Sequence, residues 1–150
     1  MTAASHAAPG ASAEAKTAAP EGFPSLENFE EVRDAVNADL EFRRATDLVD
    51  ASVLLKIGDF SVWMKWYRGQ IIDVHEGPDI LGFTFALVAP LETWREVFDL
   101  PRTCYQPWAK LYNFGEIAIE GNVLEATRLL EATYILTSHI EALGTGRSVA

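Results

Sequence analysis

Disulfides are the first thing this sequence excludes. It holds one cysteine, Cys104, among 150 residues. One thiol cannot close an intrachain bridge, so the chain must be held by its own core. Such a chain suits a reducing compartment, and a cytoplasmic location is the expectation. Cys104 itself reads as a small apolar filler in a loop. No stretch reaches the roughly 18 to 20 uncharged apolar residues of a membrane span, so no stable membrane insertion is expected. Basic residues are also scarce: 12 Lys and Arg stand against 22 Asp and Glu, a formal charge of -10. Such a surface repels phosphate backbones, which argues against a nucleic acid partner.

Chemical signatures are sparse as well. There is no phosphate loop and no dinucleotide fingerprint; Gly115 and Gly121 are too far apart and enclose a strand. No Gly-x-Ser-x-Gly elbow occurs. No spacing of His, Cys, Asp or Glu matches a metal motif, so neither a metal nor a cofactor is expected. What the chain does have is apolar substance. Hydrophobic residues make up 49% and charged residues 23%, enough for a core in one domain.

Met1 to Pro20 is mostly Ala, Ser, Thr, Gly and Pro, without the continuous apolar stretch of a secretory signal. Residues 1–24 read as a flexible tail. Residues 25–144 read as the folded domain, and residues 145–150 as a frayed end. Ser25 can cap a helix with apolar positions Leu26, Phe29, Val32, Val36 and Leu40. The period then becomes two. Val53, Leu55 and Ile57 alternate with their neighbours; so do Phe60, Val62, Met64 and Trp66. Turns at Gly58-Asp59 and Arg68-Gly69-Gln70, with Ile71 to His75 beyond, predict a three-stranded antiparallel meander.

After the turn Glu76-Gly77-Pro78-Asp79 comes the most apolar stretch, Ile80 to Ala89, which reads as one buried strand. Leu81, Phe83, Phe85 and Leu87 would form its large apolar face. Pro90 suits the first turn of a helix carrying Leu91, Trp94 and Phe98. An aromatic segment follows from Pro101 to Tyr112. Ile117 and Ile119 mark a fifth strand. Asn122, three residues before Glu125, predicts the start of a last helix from Val123 to Leu143, about 30 Å long at 1.5 Å per residue. The order suggests an α+β fold, a five-stranded, mostly antiparallel sheet covered on one face by helices.

Four segments carry a resemblance. They are Val53 to Asp59, the strand Gly69 to His75, the strand Phe83 to Val88 leading into Leu91-Glu-Thr-Trp94, and Gly115 to Asn122 opening the last helix. The succession is similar to the sterol carrier protein type-2 family of lipid-binding domains. The resemblance implies an apolar cavity between sheet and helices that takes sterols, fatty acids, acyl-CoA or phospholipid. The strong acidity and the aromatic segment 101–112 depart from the animal carriers.

The candidate ligand-binding residues follow. Leu81, Phe83, Phe85 and Leu87 would form the floor, and Trp94, Phe98, Trp108, Leu130 and Tyr134 the cover. The expected partner is a hydrophobic small molecule: a sterol, a fatty acyl chain, or an isoprenoid or polyketide-like compound. A second reading is a small cofactor-independent lyase or isomerase acting on a hydrophobic substrate in the same cavity, with Asp73, His75, Glu116 or Tyr134 as acid or base. Trp63 and Tyr67 share a strand face opposite Met64 and Trp66. A strand apolar on both faces predicts a homodimer surface there.

Overall fold

The computed structural model describes residues 19–99 and 115–144. Helices α1 (Leu26–Asn37) and α2 (Leu40–Ala45) come first. The meander follows as β1 (Asp50–Ile57), β2 (Phe60–Tyr67) and β3 (Gln70–Glu76). Then come β4 (Phe85–Ala89), α3 (Leu91–Asp99), β5 (Ala118–Gly121), α4 (Val123–Arg128) and α5 (Leu130–Ala142). The strands form one sheet in the order β3-β2-β1-β4-β5. Strands β1 and β4 run parallel, and every other pair is antiparallel. The expected α+β sheet is therefore present, with helices over one face.

Local chemistry explains the elements. Ser25 accepts from the Asn28 N–H while the Asn28 side chain accepts from the Ser25 N–H, closing a capping box. Phe29, Val32 and Val36 then form the buried stripe of α1. Packing begins one turn earlier than the cap, because Phe23 is buried against Phe29 and Phe98. The β2–β3 hairpin places Arg68 at φ 46 and Gly69 at φ 88. Two successive positive φ angles are what a tight hairpin with strand-matched twist requires, and Gly69 adopts one without steric cost.

Three expectations need correction. The first helix stops at Asn37, and Leu40 is 55% exposed. Asp39 accepts from the N–H groups of Glu41 and Phe42 and so starts a second helix, whose buried residue is Phe42. The last helix breaks at Leu129 (φ -97, ψ 20) into α4 and α5. The break lets α4 lie on β4 and β5 while α5 packs on α1 and α2. The strand expected from Ile80 spans only Phe85–Ala89. Gly82 sits at φ 73 and its N–H bonds Asp79 O, so Asp79 to Gly82 is a turn.

The two faces of the sheet are distinct. Val53, Leu55, Ile57, Val62, Met64, Trp66, Phe85 and Leu87 lie in the main core with the buried residues of the helices. On the opposite face Leu54, Trp63 and Ala86 form a second, small cluster with Val88 beside it. Strand β3 ends three places away from β4, about 14 Å at the usual strand spacing, and the two run in the same direction. The connection 77–84 therefore crosses the outer face as a strap. It is tied by Trp63 Nε1–H to Gly82 O (2.9 Å), Gly77 N–H to Ser61 O and Thr84 N–H to Ser52 O.

Two polar links fix the roof. His139, 6% exposed on α5, donates from Nε2 to Asp39 Oδ2 at 2.7 Å. Burial pushes the Asp39 carboxyl up, but the bonds from His139, Glu41 N–H and Phe42 N–H outweigh it and hold the group below the usual carboxylate range. Asn37 lies at the edge of β3. Its Nδ2 donates to Ile71 O (3.0 Å) and its Oδ1 accepts from Ile71 N–H (2.7 Å).

Candidate functional site

Apolar side chains from both layers pack together between roof and sheet. Phe85 and Leu87 pair with Val53 and Leu55 on adjacent strands, and all four point to the helices. Trp94 and Phe98 of α3 are buried against the same core, and Tyr134 of α5 packs on it half-buried. Trp94 Nε1–H donates to Lys56 O at 3.0 Å, which orients the ring. Aromatic rings gather at two places. Phe23, Phe29, Phe60 and Phe98 form one group. Trp66 forms the other, edge-on to Phe42 at 5.3 Å and to Phe85 at 6.3 Å. Trp66 is fully buried, yet its indole N–H has no hydrogen-bond acceptor among the described residues.

A pocket of about 330 Å³ opens where the end of α2, the start of β1 and the α4–α5 break meet. Arg44, Ala45, Asp47, Leu48, Val49, Arg128 and Leu129 line it. Val49 and Leu129 are buried members of the main core, so the floor is continuous with the interior. The rim carries charge. Arg44 pairs with Glu41 (3.3 Å) and Arg128 with Glu125 (2.8 Å), each within its own helix. Leu48 stands 92% exposed at the edge. No sequence signal pointed here, because the pocket depends on the break at Leu129, and no Gly or Pro marks that break.

The strand order, the roof on one face and the order of elements match solved structures. A crystal structure of sterol carrier protein 2 superposes with TM-score 0.63 at 16% identity, over 78% of this chain and 95% of that one. A solution structure from Thermus thermophilus, described as a conserved hypothetical protein and candidate sterol carrier protein, gives 0.66 at 16% identity, over 89% and 99%. The ubiquinone synthesis protein UbiJ-SCP2 gives 0.52 at 13% identity, over 81% and 97%. This chain has the SCP-2 fold. No protein-family model and no curated protein matches its sequence.

Within the SCP-2 fold the expected site residues separate. Phe85, Leu87, Trp94, Phe98 and Tyr134 meet on the roofed side, and Leu130 is half-buried at the start of α5. Leu81 and Phe83 leave that set, because the turn at Gly82 takes them out of the strand. Leu81 is 83% exposed and Phe83 is 37% exposed. Trp108 and Cys104 lie outside the described residues.

The acid–base candidates are not gathered either. His75 lies on the outer face, stacked on Trp63 at 4.7 Å, and donates from Nε2 to Asp79 Oδ2 at 2.9 Å. Its partner is thus the strap residue Asp79, not Asp73, which is exposed opposite Lys65. The Leu81 N–H bond and, to a lesser extent, His75 hold the Asp79 carboxyl below its usual range, against the effect of burial. Glu116 is exposed beside β5, and Tyr134 sits on the other side of the sheet from His75. Among the described residues no three His, Cys, Asp or Glu side chains converge as a metal site needs. No described helix is long and apolar enough to cross a membrane. At the expected dimer surface Trp63 is 4% exposed beneath the strap, and Tyr67 is 39% exposed with the Arg68 guanidinium 5.6 Å from its ring.

Proposed function

We propose that this protein binds a hydrophobic small molecule between the helical roof and the sheet, without chemistry of its own. A sterol, a fatty acyl chain or an isoprenoid or polyketide-like compound suits such a site. The observation that carries the reading is the apolar meeting of sheet and roof, with Phe85 and Leu87 of β4 facing Trp94 and Phe98 of α3 in one core. The SCP-2 fold supports the same reading, since a solved protein of this fold is named for carrying sterol. Burying about 500 Å² of apolar ligand surface yields roughly 12 kcal/mol before association and ordering costs of at least about 4 kcal/mol, which leaves binding near the micromolar range.

The lyase or isomerase reading has no geometry behind it, because the sheet separates His75 from Tyr134. The binding proposal is tested by incubating the full chain with cholesterol, palmitate and farnesol, followed by gel filtration and native mass spectrometry. Retention of at least one compound at one per chain is expected. A chain that emerges free of all three contradicts the proposal.

A further inference from the structure

We propose that one end of the sheet docks on an anionic lipid bilayer. The inference rests on the binding function proposed above and states where its ligand is exchanged. Four connections meet at that end. Arg68 N–H donates to Val49 O, Gly69 N–H to Thr46 O, Thr84 N–H to Ser52 O and Asn122 N–H to Thr84 O. These bonds tie the loop before β1, the β2–β3 turn, the entry to β4 and the exit from β5 into one rim. The rim leaves large apolar side chains in water: Leu48 is 92% exposed, Leu124 80%, Val123 53%, Tyr67 39% and Phe83 37%. The opposite end, with Gly58-Asp59 and Pro90, exposes no large hydrophobic side chain among the described residues. The pocket over Val49 and Leu129 opens on the rim.

Charge divides the same way. Half of the lysines and arginines among the described residues, Arg43, Arg44, Arg68 and Arg128, are exposed on or beside the rim. Glu41 and Glu125 pair with Arg44 and Arg128, and Lys65 pairs with Asp50. Arg43 and Arg68 form no ion pair among the described residues, and Asp47 is the one rim carboxylate left to oppose them. The opposite end instead exposes Asp59, Glu76, Glu92 and Glu116. On a chain of formal charge -10, this asymmetry turns the rim toward a layer of anionic headgroups. A bilayer also suits the spacing of the apolar groups. They stand on separate connections with arginines between them, not in the continuous packed patch that a stable protein interface needs. Lipids fill in around each group. The leucines enter the acyl boundary, Tyr67 sits at headgroup level and the guanidinium groups bind phosphate.

The test floats the full chain with vesicles of phosphatidylcholine, with and without phosphatidylglycerol. Binding to the mixed vesicles is expected, and it falls with added salt. A variant carrying Leu48→Ser and Leu124→Ser should bind them about ten-fold more weakly. One carrying Arg43→Gln and Arg68→Gln should lose a similar factor on the mixed vesicles and nothing on phosphatidylcholine alone. Ile80→Ser, at a fully exposed aliphatic position on the strap, should bind as the unaltered chain does. A chain that does not float with the mixed vesicles overturns the inference. So does a leucine variant that floats undiminished, or an Ile80→Ser variant that loses as much. If sedimentation shows a dimer that the leucine variant dissolves, the rim belongs to a second copy and the inference fails. Ligand retention separates the two readings. A chain that keeps palmitate but ignores vesicles loses only the docking, and one that floats but keeps no ligand loses only the binding function.

Discussion

On one face of the sheet, helices press on Val53, Leu55, Met64, Trp66, Phe85 and Leu87. On the other, a short irregular strap lies over Leu54, Trp63 and Ala86. Both sets of residues are almost fully buried, yet by different means. The roofed face excludes water with the apolar stripes of whole helices. The strapped face does so with backbone hydrogen bonds, one indole N–H and a histidine–carboxylate pair. The contrast teaches that burial alone does not mark a binding surface. Trp63 and Trp66 are buried alike, but among the described residues an acceptor is present for the Trp63 indole and not for that of Trp66.

The comparison can be broken by substitution. The largest effect is expected at Phe85→Ala, which empties the roofed side between Trp66 and Leu87. It should cost about 3–5 kcal/mol in chemical denaturation. Next is Asp39→Ala, which removes the cap of α2 and the partner of buried His139, at about 1–2 kcal/mol. This site also carries a pH signature. The Asp39 carboxyl has a lower pKa folded than unfolded, so its stabilisation is complete above the unfolded value of about 3.9 and lost as pH falls through the folded one. Denaturation of the unaltered chain below about pH 4 should therefore show an acid slope that the variant lacks in part.

Trp63→Phe comes third. It unties the strap from one bond at about 1 kcal/mol and should expose the segment 77–84 to proteolysis. If it cost as much as Phe85→Ala, the strap would be as integral as the roof and the contrast would fail. Smallest is Ile80→Ser at the strap's turn, where the side chain is fully exposed. A change within about 0.5 kcal/mol in melting experiments is expected.

Much of this arrangement was readable from residue order. The period of two from Val53 to Trp66, the Arg68-Gly69 turn and the stripe Phe29, Val32, Val36 each depend on near neighbours, so a single sequence shows them. The strap was hidden for the same local reason. Leu81, Phe83, Phe85 and Leu87 alternate without interruption, and only Gly82 hints that the first two belong to a turn. The break at Leu129 is imposed by two surfaces at once, the sheet edge under α4 and the helices beside α5, and no neighbouring residue records it. Periodicity placed Phe85, Leu87, Trp94 and Phe98 on the core side of their elements, whereas the pocket beside Val49 and Leu129 depends on the helix break, which long-range packing imposes.

The Asn37 amide has a consequence beyond the roof. Its side chain offers Ile71 the same donor and acceptor that an added strand would, and so it impersonates a neighbour at the open margin of β3. A passing extended chain, from another copy or from a partly unfolded protein, finds that position already taken. The sheet is thereby discouraged from recruiting strangers into a growing fibril, a safeguard suited to a protein with an oily interior.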